Sequence, residues 1–155
     1  MSKLNIIKEG DPVLRKKADK VAKITPEIKQ LIFDMGKSMK KAKGIGLAAP
    51  QVGKSIQLCL INTENGPLAL INPKIVWKSL RKDIEEEGCL SCPDVFGLVK
   101  RSKGIKVKFL DENGKIKKFK AKGLFARVIQ HEVDHLNGIL ILDKFVPKGS
   151  FKKKK

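Results

Sequence analysis

The sequence predicts an α+β domain. Antiparallel β-sheets pack around a central helix carrying an H-E-x-x-H motif, and a second helix lies near the N-terminus. Three observations carry this expectation. An amphipathic stretch follows Thr25, several short turn-bounded β-rich segments fill the middle, and a second amphipathic stretch begins after Gly123. With 155 residues, 41% of them hydrophobic, the chain suits one globular domain with a real core. Its expected extent is 1–147, followed by a lysine-rich, disordered tail at 148–155.

The first helix is read from "PEIKQLIFDMGKSMKKAKG". Thr25 is a good N-cap, Pro26 fits the first position and Glu27 the first turn. Ile28, Leu31, Ile32, Met35 and Met39 recur at three and four and make one apolar face. Lys40, Lys41 and Lys43 sit where the helix dipole favours cations. "SIQLCLIN", "LALINPKIVW", "GIKVKFLD" and "KIKKFKAKG" then read as strands, with "DENGK" (Asp111–Lys115) as the hairpin turn between the last two. The second helix runs through "LFARVIQHEVDHLNG" and stops at Gly138.

Composition narrows the setting. Met1-Ser2-Lys3 leads into the chain with no apolar signal segment, and no apolar run is long enough for a membrane helix. Three cysteines, an odd number, argue against a disulfide framework and suit a reducing cytosol. The net charge of +18 fits work near a polyanion such as ribosomal RNA, or near an acidic membrane face. The alternative is a solvated lysine-rich surface. It is favoured here because the lysines are spread along the chain rather than gathered on one stripe, and only 5% of residues are aromatic.

The chemistry is concentrated in three places. His131-Glu132-Val133-Asp134-His135 puts two imidazoles four residues apart on a helix, about 40° apart around its axis, so both can grip one metal. Glu132 lies about 100° from its neighbour, placed to act as a general base without ligating. These are the only two histidines, so a third ligand must be a carboxylate or a cysteine, and Cys89 is the attractive candidate. "GIGLAAPQVG" (Gly44–Gly53) mimics a dinucleotide fingerprint, but a lysine-rich helix precedes it and Pro50 obstructs the helix that should follow. It reads instead as a glycine turn that presents the Gln51 amide, a donor suited to an oxyanion. In "EEEGCLSCPDVFG" (85–97), Cys89 and Cys92 form C-x-x-C, which can be a redox pair, half a zinc site or one working cysteine. No second cysteine pair exists to complete a zinc site.

"GIGLAAPQ" (44–51), "EGCLS" (87–91) and "QHEVDH" (130–135), in this order, resemble peptide deformylase. The similarity extends to "GDPVLRKKADKV" and "HLNGIL" and covers roughly residues 5 to 145. The resemblance implies metal-dependent removal of the N-formyl group from formyl-methionine at the N-terminus of newly synthesised polypeptides. Formate is released through a metal-bound water. Cys89, His131 and His135 would be the ligands of one divalent ion, most often Fe2+, with Zn2+, Ni2+ or Co2+ as substitutes. Glu132 would be the general base and then the acid. Gln51 and the Leu90 N–H would bind the formyl oxygen. Gly44, Ile45 and Gly46 would lie along the substrate, and Ile45, Leu124, Val128 and the His131 face would line a methionine pocket. Peptide beyond methionine would pair through its backbone in β fashion.

Further expectations follow from the resemblance. Glu87 would support the site, with Arg101 a possible partner, while Glu85 and Glu86 would be peripheral. Phe96 stands near a position where many relatives carry arginine or tyrosine, so a charge-based contact there is lost. Cys92 would pack as a small apolar residue, and on metal loss it could form a disulfide with Cys89. "DKFVPKGSFKKKK" is too short for the ribosome-docking helix of some relatives, and Pro147 and Gly149 oppose helix, so any ribosome association would be electrostatic. The expected protein is a monomer in the cytoplasm of a bacterial or phage-infected cell, or in an organellar matrix. A zinc peptidase is the rival enzyme, with Asp143 as its alternative third ligand. A non-catalytic RNA-proximal protein with a structural metal is the rival from another class.

Overall fold

The computed structural model describes residues 4–154. Met1-Ser2-Lys3, read in the sequence as carrying no apolar signal segment, and Lys155 lie outside them. Helix α1 (Pro26–Lys41) begins as expected: Thr25 Oγ1 accepts from the Ile28 N–H at 3.3 Å, and Pro26 occupies the first turn. Its apolar stripe buries Ile32, Met35 and Met39. Strands β1 (Gly46–Ala48), β2 (Leu58–Thr63), β3 (Gly66–Lys78), β6 (Gly104–Leu110) and β7 (Ile116–Lys122) form an antiparallel sheet in the order β1-β2-β3-β6-β7. Strands β4 (Lys82–Cys89) and β5 (Cys92–Ser102) form a long hairpin in a second sheet.

Helix α2 (Gly123–Leu136) packs on the inner face of the larger sheet. Ala126, Ile129 and Leu136 bury against Cys59, Ile61, Leu70 and Val107. The period of two puts Leu58 and Leu60 on the opposite face, where α1 covers them with Met35 and Met39. Strand β2 is therefore buried on both sides, which is why "LCLI" carries no polar alternation. On β6, Ile105, Val107 and Phe109 face α2, and Lys106 and Lys108 point outward. A third cluster, with Leu14, Cys92, Val99, Leu140 and Phe145, closes the smaller sheet.

The β6–β7 turn forms as predicted: the Asp111 N–H donates to the Lys115 carbonyl at 2.9 Å, and Gly114 takes φ +79°. Helix α2 ends at Leu136, and Gly138 takes φ +73°. A Cβ at Gly138 would stand 2.5 Å from the Arg15 carbonyl oxygen, so glycine is needed for both reasons.

Three features differ from expectation. "GIGLAAPQVG" is not a plain turn: Gly46–Ala48 pairs with β2, and Ala49–Val52 winds into a 3-10 turn. The β4–β5 hairpin was not foreseen, because "KDIEEEGC" is acidic and has little β propensity of its own. The lysine-rich end, expected to be disordered, carries β8 (Lys152–Lys153), paired with Val95 and Phe96 of β5. An unpaired edge strand offers ladder groups that a short extended segment can take, and Lys154 adds an ion pair to Glu86. Among the described residues, no helix is long and apolar enough to cross a membrane.

Candidate metal centre

Helix α2 supplies two side chains to one point. His131 and His135 stand one turn apart, with ring centroids 5.1 Å apart. The β4–β5 hairpin brings Cys89 against them, its Sγ 3.3 Å from His135 Nε2. One ligand atom each from Cys89, His131 and His135 lies within 4.8 Å of the others. One thiol and two imidazoles converging this closely fit a divalent first-row transition metal. The alternative third ligand is elsewhere, since Asp143 is held by Arg15 and by the Leu140 N–H at 3.0 Å.

The surroundings set the protonation of each candidate ligand. Cys92, then burial, pushes the Cys89 thiol up, away from the thiolate that metal binding requires. A cation at the ligand atoms reverses that preference. Burial pushes His135 well below its usual value, keeping it neutral and able to ligate. Glu132 is buried, and its Oε1 has no hydrogen-bond partner among the described residues. Burial pushes its carboxyl up to about 7. Its Oε2 stands 3.9 Å from His131 Nε2, and a Cβ at Gly46 would come within 2.6 Å of the same oxygen. Glycine at 46 is thus a condition for the Glu132 rotamer.

Gln51, on the 3-10 turn, is 2% exposed. Its Oε1 accepts from the Ala48 N–H at 2.9 Å, and its Nε2 donates to Ser91 Oγ at 3.1 Å and lies 3.6 Å from Cys89 Sγ. The Ala48 bond fixes which end of the amide faces the centre. Leu90 occupies the hairpin turn between the two cysteines, and Cys92 is buried in the third core cluster as expected.

Glu87 is the hub behind the ligands. It pairs with Arg101, the partner suggested from sequence, at 2.8 and 3.0 Å. It also contacts His131 Nδ1 at 3.0 Å, which orients that ring and leaves Nε2 for the centre. Burial alone would raise the Glu87 pKa, but the His131 and Arg101 hydrogen bonds hold its carboxyl well below the usual range. Burial favours a neutral His131, yet the Glu132 and Glu87 carboxylates raise its pKa.

Arg127 was missed in the sequence. It bonds to Glu87, to the Val99 carbonyl at 2.9 Å and to Asp83 Oδ1 at 2.7 Å. The signal available was its position four residues before His131, on the same face of α2. Glu85 is exposed and lies 3.8 Å from Arg127 Nε, whereas Glu86 pairs with Lys154.

A cavity of about 610 Å³ opens onto the centre. Gly44, Ile45, Gly46, Leu124, Val128 and Phe96 line it, so the residues expected along the substrate share one wall system. Ile45 and Leu124 are 54% and 63% exposed, leaving apolar surface for a ligand to cover. Phe96 packs over Gly88, where a Cβ would meet its ring at 2.5 Å. A larger groove, about 980 Å³, lies on the other face of α2; none of Cys89, His131, His135 or Glu132 lines it.

This arrangement has relatives. The polypeptide deformylase family model matches residues 3–151. A peptide deformylase of Dictyoglomus thermophilum is 51% identical over 141 residues, covering 91% of this chain and 92% of that one. That of Dictyoglomus turgidum is 48% identical, covering 98% of this chain and 99% of that one. The crystal structure of the Thermotoga maritima peptide deformylase superposes with a TM-score of 0.93 at 44% identity, over 95% of this chain and all (100%) of that one. One from Synechococcus elongatus, in complex with actinonin, superposes at 0.89 with 47% identity, over 92% of this chain and 78% of that one. With a matching family model, near full-length relatives and a shared fold, this chain belongs to the peptide deformylase family.

Proposed function

We propose that this protein hydrolyses the N-formyl group from the formyl-methionyl N-terminus of newly synthesised polypeptides and releases formate. One observation carries the reading: a Cys-His-His cluster within 4.8 Å, beside a buried glutamate with an unpartnered carboxylate oxygen. Cys89, His131 and His135 hold one divalent ion, with Fe2+ as the native metal and Zn2+, Ni2+ or Co2+ as substitutes. The bound ion supplies Lewis acidity, polarising the formyl carbonyl and making water easier to deprotonate.

The chain's own groups do the rest. Glu132 takes the proton of the attacking water and returns it to the departing amine. The Gln51 Nε2 and the Leu90 N–H donate to the formyl oxygen as it gains charge. The Ala48–Gln51 bond supports this role, since it leaves the amide no rotation to find. Val128, Ile45, Leu124 and the His131 face take the methionine side chain, and Gly44 and Gly46 let the peptide backbone approach closely. Phe96 offers the following residue an apolar wall rather than a charge.

The site is assembled within one chain, which supports a working monomer, and nascent formylated chains as substrates support a setting in the cytoplasm of a bacterial or phage-infected cell, or in an organellar matrix. Any ribosome association is electrostatic, a reading supported by the net charge of +18.

The deciding experiment is anaerobic purification with metal analysis, then formate release from a formyl-Met peptide and from its unformylated counterpart. Formate from the first and no cleavage of the second is expected. Internal peptide cleavage without formate release sinks the reading in favour of a peptidase. Glu132→Gln should retain the metal and lose about 10²-fold or more in rate. An unchanged rate removes Glu132 from the chemistry.

A further inference from the structure

The outer face of the β3–β6–β7 sheet has no part in the chemistry. Helix α1 packs on β1 and β2 and leaves the far half of that face uncovered. The register there brings lysines together from three strands: Lys74 opposes Lys108, Lys108 opposes Lys118, and Lys106 opposes Lys120. Directly opposed residues share a face, and alternate residues along a strand repeat about every 6.8 Å. The lysines are therefore anchored in rows across the face. None of these five lysines takes part in an ion pair among the described residues.

Trp77 stands in the middle of the rows, opposite Lys106. It is 41% exposed, with the ammonium groups of Lys106 and Lys120 at 5.7 and 5.2 Å from its ring centroid. Gly104 lies under the indole edge, where even a Cβ would be only 3.6 Å away. On the α2 side, the larger groove that Lys74 and Lys108 border is lined by the exposed Lys20, Lys82, Lys100 and Lys144. The one carboxylate lining that groove, Asp134, is engaged by Arg101 at 2.7 Å.

We propose that this face binds single-stranded RNA, with phosphates on the Lys106, Lys108 and Lys120 rows and a base stacked on Trp77. A sheet face with an exposed aromatic among cations outside any ion pair suits an unpaired strand, whose bases are free to stack. In a duplex the bases are already stacked and paired, which leaves Trp77 no free base face. An acidic membrane is the poorer fit, because the aromatic on this face is a single indole flanked by two ammonium groups rather than an apolar cluster to insert. The proposal gives the electrostatic ribosome association a place and a chemistry. It rests on that reading only for its biological setting. Formate release from a free peptide reports the metal centre alone, so the two can fail separately.

Trp77 is the only tryptophan, so its emission reports this face directly. The metal-loaded full chain is titrated with an oligouridylate of about 12 nucleotides. Saturable quenching is expected at low salt, weakening with ionic strength by about 0.7 log units per log unit of salt for each phosphate neutralised. Binding of a labelled oligonucleotide, read by anisotropy, should weaken at least about tenfold in Lys106→Glu/Lys108→Glu/Lys120→Glu. It should weaken at least about fivefold in Trp77→Ala. Both variants should release formate from a free formyl peptide at the wild-type rate, which also shows that they fold. Absence of quenching at low salt overturns the proposal. So does undiminished RNA binding by either variant, or tighter binding to phosphatidylserine-containing vesicles than to RNA.

Discussion

Glu87 shows how much one side chain can organise. Its carboxylate meets His131, Arg101 and Arg127 at once, and both arginines are buried. Glu87→Ala leaves two buried guanidinium groups short of a partner. Breaking such a pair costs about 3–5 kcal/mol; because Asp134 and Asp83 remain as partners, the lower end of that range is expected for the urea-unfolding free energy. The same change frees the His131 ring, so metal affinity should fall about 10–100-fold in a chelator competition. At this scale the sequence was informative where chemistry sets the spacing. Four residues on a helix place His131 and His135 together, and their distance from Cys89 along the chain does not matter once a glycine-flanked cysteine is recognised. For Arg127 only the helix face is legible, because its partners Asp83 and Glu87 are brought to it by the β4–β5 hairpin.

That hairpin is also where the paired cysteines acquire meaning. Cys89 and Cys92 are directly opposed across its two-residue turn. Opposed residues in an antiparallel pair have Cα atoms about 4.5 or 5.5 Å apart, inside the span a disulfide can bridge. Chelated enzyme treated with peroxide is expected to yield an intramolecular Cys89–Cys92 disulfide, found by peptide mass spectrometry and reversed by thiol. Metal-loaded enzyme should resist. Cys92→Val should instead lose activity irreversibly, and equal loss in both without a disulfide would retire the idea. Among the elements, both helices and four strands were readable from caps, periodicity and turn residues. β4 was hidden by its own glutamates, and β1 by its brevity between glycines. The lysines of β6 and β7 looked scattered because a period of two spreads one face along the sequence; only strand register gathers them.

Across the whole molecule, the N-terminal segment and the last loop are tied by Arg15 and Asp143. Partial burial opposes ionisation of Asp143, but Arg15 and the Leu140 N–H hold its carboxyl below the usual range. A depressed folded-state pKa stabilises above the unfolded value of about 3.9, and the contribution fades as pH falls through it toward the folded value. Asp143→Asn should therefore unfold at lower urea than wild type at pH 7, and the gap should narrow below about pH 4. A gap that persists in acid would assign the effect to packing. The largest consequence comes from α2, which carries both histidines on one side and Ala126, Ile129 and Leu136 of the core on the other. Letting go of the ion and letting go of the fold are then steps of one opening. Amide hydrogen exchange within α2 should slow in proportion to free metal concentration, while the exposed β6–β7 turn keeps its rate. The protein's lifetime in the cell would follow the availability of its metal.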